Sequence, residues 1–268
     1  MFTDSHCHLI SPPLRDAFDA VWAAMQEARV TRALCVSTTL PECALAQQLA
    51  ARQDGIWATA GVHPEEACER EPQVNELLQA AAQPKVVAIG ETGLDYYQME
   101  ARKGGASIAD LQWQRDRFRT HIRAARRCRK PLVIHMRDAA ADTLRILDEE
   151  GEDGGADSAG GVFHCFTGTL DEARAALDRG FYISLSGIVT FKNAADLRAV
   201  VPFVPADRLL IETDSPYLAP VPHRGKTNTP AYVPYVAACI AELRGADTEV
   251  IAAQTSANFD RLFLETAA

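Results

Sequence analysis

Phe2-Thr3-Asp4-Ser5-His6-Cys7-His8-Leu9-Ile10-Ser11-Pro12-Pro13 opens the chain, and its first seven residues read as a short strand that runs straight into a turn. Successive side chains of a strand point to opposite faces, so His6 and His8 share one face. Two imidazoles on one face can hold one divalent cation, although an H-x-H also stands at ordinary polar strand ends. What the turn lacks matters as much. An open, doubly wound sheet usually carries a glycine-rich turn after its first strand. Here that place is filled by His-Cys-His-Leu-Ile-Ser-Pro-Pro.

The remaining strand-like runs are residues 33–37, 56–62, 86–90, 132–135, 161–165, 181–184 and 209–212. Helical spacing fills the gaps at 16–29, 41–53, 74–82, 111–128, 139–150, 170–179 and 194–201, and closes the chain at 230–243 and 248–263. In the first of these helices Phe18, Val21, Trp22 and Met25 fall on one face. The runs are apolar on both faces, as suits a buried parallel sheet. Eight strands, each followed by a helix at roughly 30-residue intervals, predict an α/β architecture closed as a (β/α)8 TIM-type barrel, one domain over residues 1–268. The stretch 100–109, with Gly104-Gly105, follows strand four and would lie on the C-terminal face, as a partial cover or a flexible excursion. The Gly-, Asp- and Ser-rich 151–161 precedes strand six and reads as a disordered connector on the opposite face.

Composition narrows the function. Of the 268 residues 47% are apolar, enough for a large core. No run reaches the roughly 18 residues of a membrane span, so no membrane contact is expected. The start shows no basic-then-apolar leader, and seven cysteines lie scattered without Cys-x-x-Cys pairs. Together these predict a cytoplasmic, reducing location. A net charge of −9 argues against a broad basic face for nucleic acid. A phosphate-bearing substrate would have to be gripped locally, most simply through metal.

The strand ends carry the chemistry. Strand one ends in His6 and His8, strand four in Glu91, strand five in His135, strand six in His164 and strand eight in Asp214. All are metal-ligand types, at the end of the barrel where such enzymes build their sites. Four histidines and two carboxylates exceed the three protein ligands of one catalytic zinc. They point to two ions with Glu91 bridging them, able to activate a water and stabilise charge on a phosphoryl or carbonyl oxygen. Zinc, manganese or iron suits such mixed ligands, as does magnesium held weakly.

Read together, the motifs spell a family. Asp4-Ser5-His6-Cys7-His8, Gly61-Val62-His63-Pro64, Gly90-Glu91-Thr92-Gly93-Leu94-Asp95-Tyr96, Pro131-Leu132-Val133-Ile134-His135 with Arg137-Asp138, His164-Cys165-Phe166-Thr167-Gly168, Ser186-Gly187-Ile188-Val189-Thr190-Phe191-Lys192 and Glu212-Thr213-Asp214-Ser215-Pro216-Tyr217-Leu218 resemble the TatD-like metal-dependent hydrolases of the amidohydrolase superfamily. The resemblance runs from Phe2 to about Phe263. It implies a distorted (β/α)8 barrel and a metal-dependent deoxyribonuclease, in several members an exonuclease acting from the 3′ end. Carried over, His6, His8, Glu91 and Asp214 would hold one ion, and Glu91, His135 and His164 the other. Asp214 would accept the proton of the attacking water, and His63 would contact the substrate phosphate. The partner would be DNA, as single strands or 3′ ends, or another phosphodiester, with no protein partner implied. Three departures bear on substrate choice: Met136 stands where the family often has Ser, Thr227 interrupts the motif after Arg224-Gly225-Lys226, and the 100–109 stretch is long.

Arg137, Arg224 and Lys226 are further candidates for a substrate phosphate, Arg224 and Lys226 being equally readable as a solvated loop. The arginines of 111–130 read as the outer face of an amphipathic helix. Cys7 and Cys165 read as small core residues turned away from the ligands beside them, and His121 as structural. The rival functions are an amidohydrolase acting on a carbonyl or C–N bond and a catalytically silent barrel scaffold.

Overall fold

A computed structural model of the chain describes residues 1–97 and 108–265. The elements are β1 (Phe2–Cys7), α1 (Pro12–Arg15), α2 (Phe18–Glu27), β2 (Val30–Cys35), α3 (Leu40–Arg52), β3 (Ile56–Ala60), α4 (Val74–Ala81), β4 (Val86–Asp95), α5 (Gln112–Cys128), β5 (Leu132–Arg137), α6 (Ala140–Glu149), β6 (Gly161–Phe163), α7 (Leu170–Asp178), β7 (Tyr182–Leu185), α8 (Ala195–Val200), β8 (Leu209–Ile211), α9 (Val233–Arg244) and α10 (Thr248–Phe259). A π-helical turn, Asp260–Leu264, continues α10. The strands pair in parallel in the order β1 to β8. The two ends of the sheet meet through a parallel bridge between Cys7 and Ser215. There His8 N donates to Ser215 O at 2.7 Å, and Asp214 N to His6 O at 3.0 Å. The barrel expected from the alternation is the architecture observed.

Alternation also explains the two layers of core. Val133 shares a strand face with His135, Val162 with His164, and Leu210 with Glu212. These three apolar side chains pack with Leu34, Tyr182, Phe259, Leu262 and Phe263 in one buried cluster. Phe259 and Phe263 are fully buried, each worth about 2–3 kcal/mol in removed apolar surface. A larger cluster, with Phe118 and Ile122 of α5, fills the space between sheet and helices.

Some boundaries differ from the sequence reading. The helix expected over 16–29 is α2, Phe18–Glu27, and a short helix not expected from the sequence, α1, precedes it from Pro12 to Arg15. β4 runs to Asp95, so Glu91 lies within it rather than at its end. β6 stops at Phe163, because Cys165 takes a left-handed backbone, φ +42°. The 151–161 connector is ordered rather than loose. Glu152 is buried and accepts from Ala159 N and Gly160 N, both at 3.0 Å, while pairing with Arg126. Apart from its last two residues, the 100–109 stretch lies outside the described residues. Among the described residues no helix is long and apolar enough to cross a membrane, and all seven cysteines are free.

Candidate metal centre

Glu91 sits where β4 shifts register against β5, between Ile89 and Thr92. The glycines on either side let the strand crowd its neighbour. A Cβ on Gly90 would lie 2.7 Å from Val133 Cβ, and one on Gly93 would lie 2.0 Å from His135 O. The irregular strand delivers the Glu91 carboxylate, 3% exposed, to the middle of the histidines. Its Oε1 lies 2.8 Å from His164 Nε2, 3.2 Å from His135 Nδ1 and 3.3 Å from His63 Nε2. Its Oε2 lies 3.4 Å from His6 Nε2 and 3.8 Å from His8 Nε2. Asp214 comes from the turn after β8 with φ +55°, a conformation Asp tolerates better than most residues. Its Oδ1 is 3.4 Å from His8 Nε2 and 3.7 Å from His6 Nε2. The six side chains expected as ligands are thus brought to one place. Two donor sets stand side by side, His6–His8–Asp214 and His63–Glu91–His135, each with ligand atoms within 4.8 Å of one another. A third set, His6–His164–Glu212, shares His6 with the first.

The outward ring nitrogens are committed. His8 Nδ1 faces Val36 O at 3.1 Å, an atom that can only accept, so Nδ1 donates. His135 Nε2 donates to Asp95 Oδ2 at 2.8 Å, and His164 Nδ1 to Glu212 Oε1 at 3.3 Å. The remaining nitrogen of each neutral ring is then a bare acceptor. In His135 and His164 it points at Glu91 Oε1, and in His8 it lies 3.3 Å from His6 Nε2. Acceptors facing acceptors repel unless a proton or a cation stands between them. A carboxylate behind a ligating histidine is the usual support of a metal site. The donor set therefore fits divalent cations.

Titration behaviour follows the same geometry. Burial would raise Glu91, but His164 and His63 beside it hold it well below the usual carboxylate range. Burial opposes charge on His164 too, yet Glu91 and Glu212 push it well above the ordinary histidine value. His8 and His135 are raised against burial by Asp214 and Asp95 respectively. Asp214 is lowered, since His8 and His6 outweigh its burial. His6 is lowered, by burial first and by His164 second.

A cavity of about 880 Å³ opens over this cluster, within the size range of ligand sites. His63, expected on a substrate phosphate, sits inside the donor cluster itself. Arg137 lines the cavity with its guanidinium 3.6 Å from the Tyr97 ring centroid. Arg224 and Lys226 do not line it. Arg224 lies over the Phe191 ring at 3.7 Å, and both residues are exposed. Cys7 is buried in the outer core, but Cys165 lines the cavity, because strand alternation has already ended at Phe163.

Several supporting residues were not singled out from the sequence. Asp95 and Glu212 orient His135 and His164; alternation could have marked them, since they stand four and two residues from Glu91 and Asp214. The carbonyls of Val36, Ser37 and Thr38 receive His8 Nδ1, Glu91 N and His63 N at 3.1, 3.1 and 2.9 Å. Any residue type supplies a carbonyl, so no sequence signal exists for that. Arg117 is not on the outer face: its side chain is 2% exposed, bridged to Glu71, with Nη1 donating to His63 O at 2.7 Å and Glu66 O at 2.9 Å. His121 is structural as expected, its Nε2 accepting from Val62 N at 3.0 Å and its Nδ1 facing Arg117 O at 2.8 Å.

Comparison with known proteins is consistent across the chain. The family model described as TatD related DNase matches residues 3–264. An uncharacterized metal-dependent hydrolase of Escherichia coli K12, YcfH, is 46% identical over 264 residues, 97% of this chain and 94% of that protein. The protein of Citrobacter koseri named 3′-5′ ssDNA/RNA exonuclease TatD is 37% identical over 256 residues, covering 93% and 94%. Among solved structures, the TatD homolog YJJV of Escherichia coli K12 superposes with a TM-score of 0.86 at 27% identity, over 98% of this chain and 97% of the other.

Proposed function

The chain belongs to the family of TatD-related DNases, and from that premise we propose that this metal-dependent hydrolase cleaves phosphodiester bonds as a 3′–5′ exonuclease on single-stranded nucleic acid. We further propose two divalent ions, zinc, manganese or magnesium, held in a single-domain chain that works in the cytoplasm. The observation that carries this reading is the set of ring nitrogens of His8, His135 and His164 turned inward around Glu91, with the opposite ring nitrogens held by Val36 O, Asp95 and Glu212. The named exonuclease relative, the six-ligand set and the seven free cysteines support it.

His6, His8 and Asp214 would hold one ion, and His135 and His164 the other, with Glu91 between them and His63 on the second side. Bound divalent ions would polarise the phosphoryl oxygen and acidify a water. Asp214 is ionised and lies in the cavity wall, so it takes the proton the attacking water gives up. His63 Nε2 faces the cavity beside Glu91 and meets a phosphoryl oxygen. Arg137, at the end of β5, is the cation that reaches the cavity wall and balances substrate charge.

The test is a metal-resolved nuclease assay. The protein is stripped with chelator and reloaded with single ions, and cleavage of end-labelled single- and double-stranded DNA is followed. Stepwise loss of nucleotides from 3′ ends of single strands is expected. No cleavage with any ion, alongside turnover of an amide or lactone, would overturn the reading.

A further inference from the structure

Tyr217 is an unusual surface residue. It is 60% exposed, yet it lines the cavity, with its ring 6.2 Å from the His8 ring. Its backbone is pinned: Tyr217 N donates to Asp214 O at 3.0 Å, and the buried Asn228 side chain donates to both Tyr217 O and Thr213 O. A rigid turn thus holds an uncovered aromatic ring three residues from Asp214. A second flat surface belongs to another part of the wall. The Arg137 guanidinium is stacked 3.6 Å over the Tyr97 ring.

The charges around the cavity sharpen the point. Glu42, Glu65 and Glu66 share the wall with Arg137, its one lysine or arginine among the described residues. A chain of net charge −9 with so few cations at its site has little with which to hold a run of phosphates. Its hold on a polynucleotide must come largely from the bases, and aromatic and guanidinium planes bind bases by stacking. Only a base whose faces are free of neighbours can use such planes.

Resting on the phosphodiesterase reading above, we propose that Tyr217 and the Tyr97–Arg137 pair are stacking platforms for the unpaired nucleobases next to the scissile bond, and that Tyr217 makes the site selective for single-stranded ends. The test uses two single-stranded oligodeoxythymidylates, one with normal 3′-terminal residues and one whose last two residues are abasic tetrahydrofuran analogues. Wild type, Tyr217→Ala and Tyr217→Trp are compared by KM and kcat. In wild type, removing the bases should raise KM by roughly tenfold. In Tyr217→Ala that ratio should fall to roughly threefold, the remainder belonging to the Tyr97–Arg137 pair, together with loss of the preference for single strands over blunt duplex ends. Tyr217→Trp should retain both. If Tyr217→Ala shows the same ratio as wild type, the stacking assignment falls while the nuclease reading stands. If wild type cuts neither oligonucleotide with any added ion, both fall together.

Discussion

Replacing Glu212 by Gln separates metal binding from folding. Glu212 is fully buried. Its Oε1 accepts from His164 Nδ1 at 3.3 Å and from Cys165 N at 2.8 Å, while Oε2 has no partner. Glutamine matches the shape and keeps one acceptor oxygen for both donors. What it removes is the negative charge behind His164, and with it the basicity of the nitrogen turned to the cavity. Loss of such a support costs about 10–100-fold in metal affinity, or about 1.4–2.8 kcal/mol. The metal-free fold should weaken less than in Glu212→Ala, since both donors keep an acceptor and only the charge pairing with His164 is lost. Glu212→Ala is the contrasting change. It strands the Cys165 N–H and His164 Nδ1–H in the interior, at about 1–3 kcal/mol each. Competition titration against a chromogenic chelator, with urea denaturation in EDTA, reads both quantities. Unchanged metal affinity in Glu212→Gln, or a metal-free fold weakened as much as in Glu212→Ala, would refute the assignment.

Three further outcomes follow from the same geometry. Glu91→Ala should abolish hydrolysis and lower bound metal per chain while leaving the far-ultraviolet spectrum intact; wild-type turnover in that variant would exclude a bridging role. Chelation should lower the melting temperature, and metal added at 100 times its Kd should restore about 2.7 kcal/mol, which differential scanning calorimetry measures. His121 is driven down from 6.5 to about 4, by burial first. Between those values the unfolded chain binds the extra proton, so stability is full above pH 6.5 and is lost as pH falls toward 4. The whole step is worth about 3 kcal/mol, and His121→Gln should flatten that part of the stability–pH profile.

The barrel was legible because its determinants repeat. Each apolar run followed by a helical period votes for the same architecture, and errors at ends, such as α2 starting at Phe18 rather than at residue 16, do not change the count. The cluster of candidate ligands was legible because histidine and carboxylate at strand ends are rare without a reason. What stayed hidden depends on contacts between distant backbone atoms. Nothing in Val36-Ser37-Thr38 announces that its three carbonyls steady His8, Glu91 and His63. Arg117 was misplaced because helical periodicity sees a charge as outward, whereas Glu71 and the carbonyls of His63 and Glu66 make burial of this arginine favourable. Cys165 was misplaced because alternation was extended two residues beyond the strand that sustains it.

The contact between Cys7 and Ser215 has a meaning for the polypeptide as a whole. His6 lies in the first strand, His8 directly after it, and Asp214 follows the last, so an ion gripped by all three would act as a clasp joining the first strand to the last. Release of that ion would unlatch the cylinder at its weakest joint. Metal scarcity would then be felt as a shorter-lived fold as well as slower chemistry.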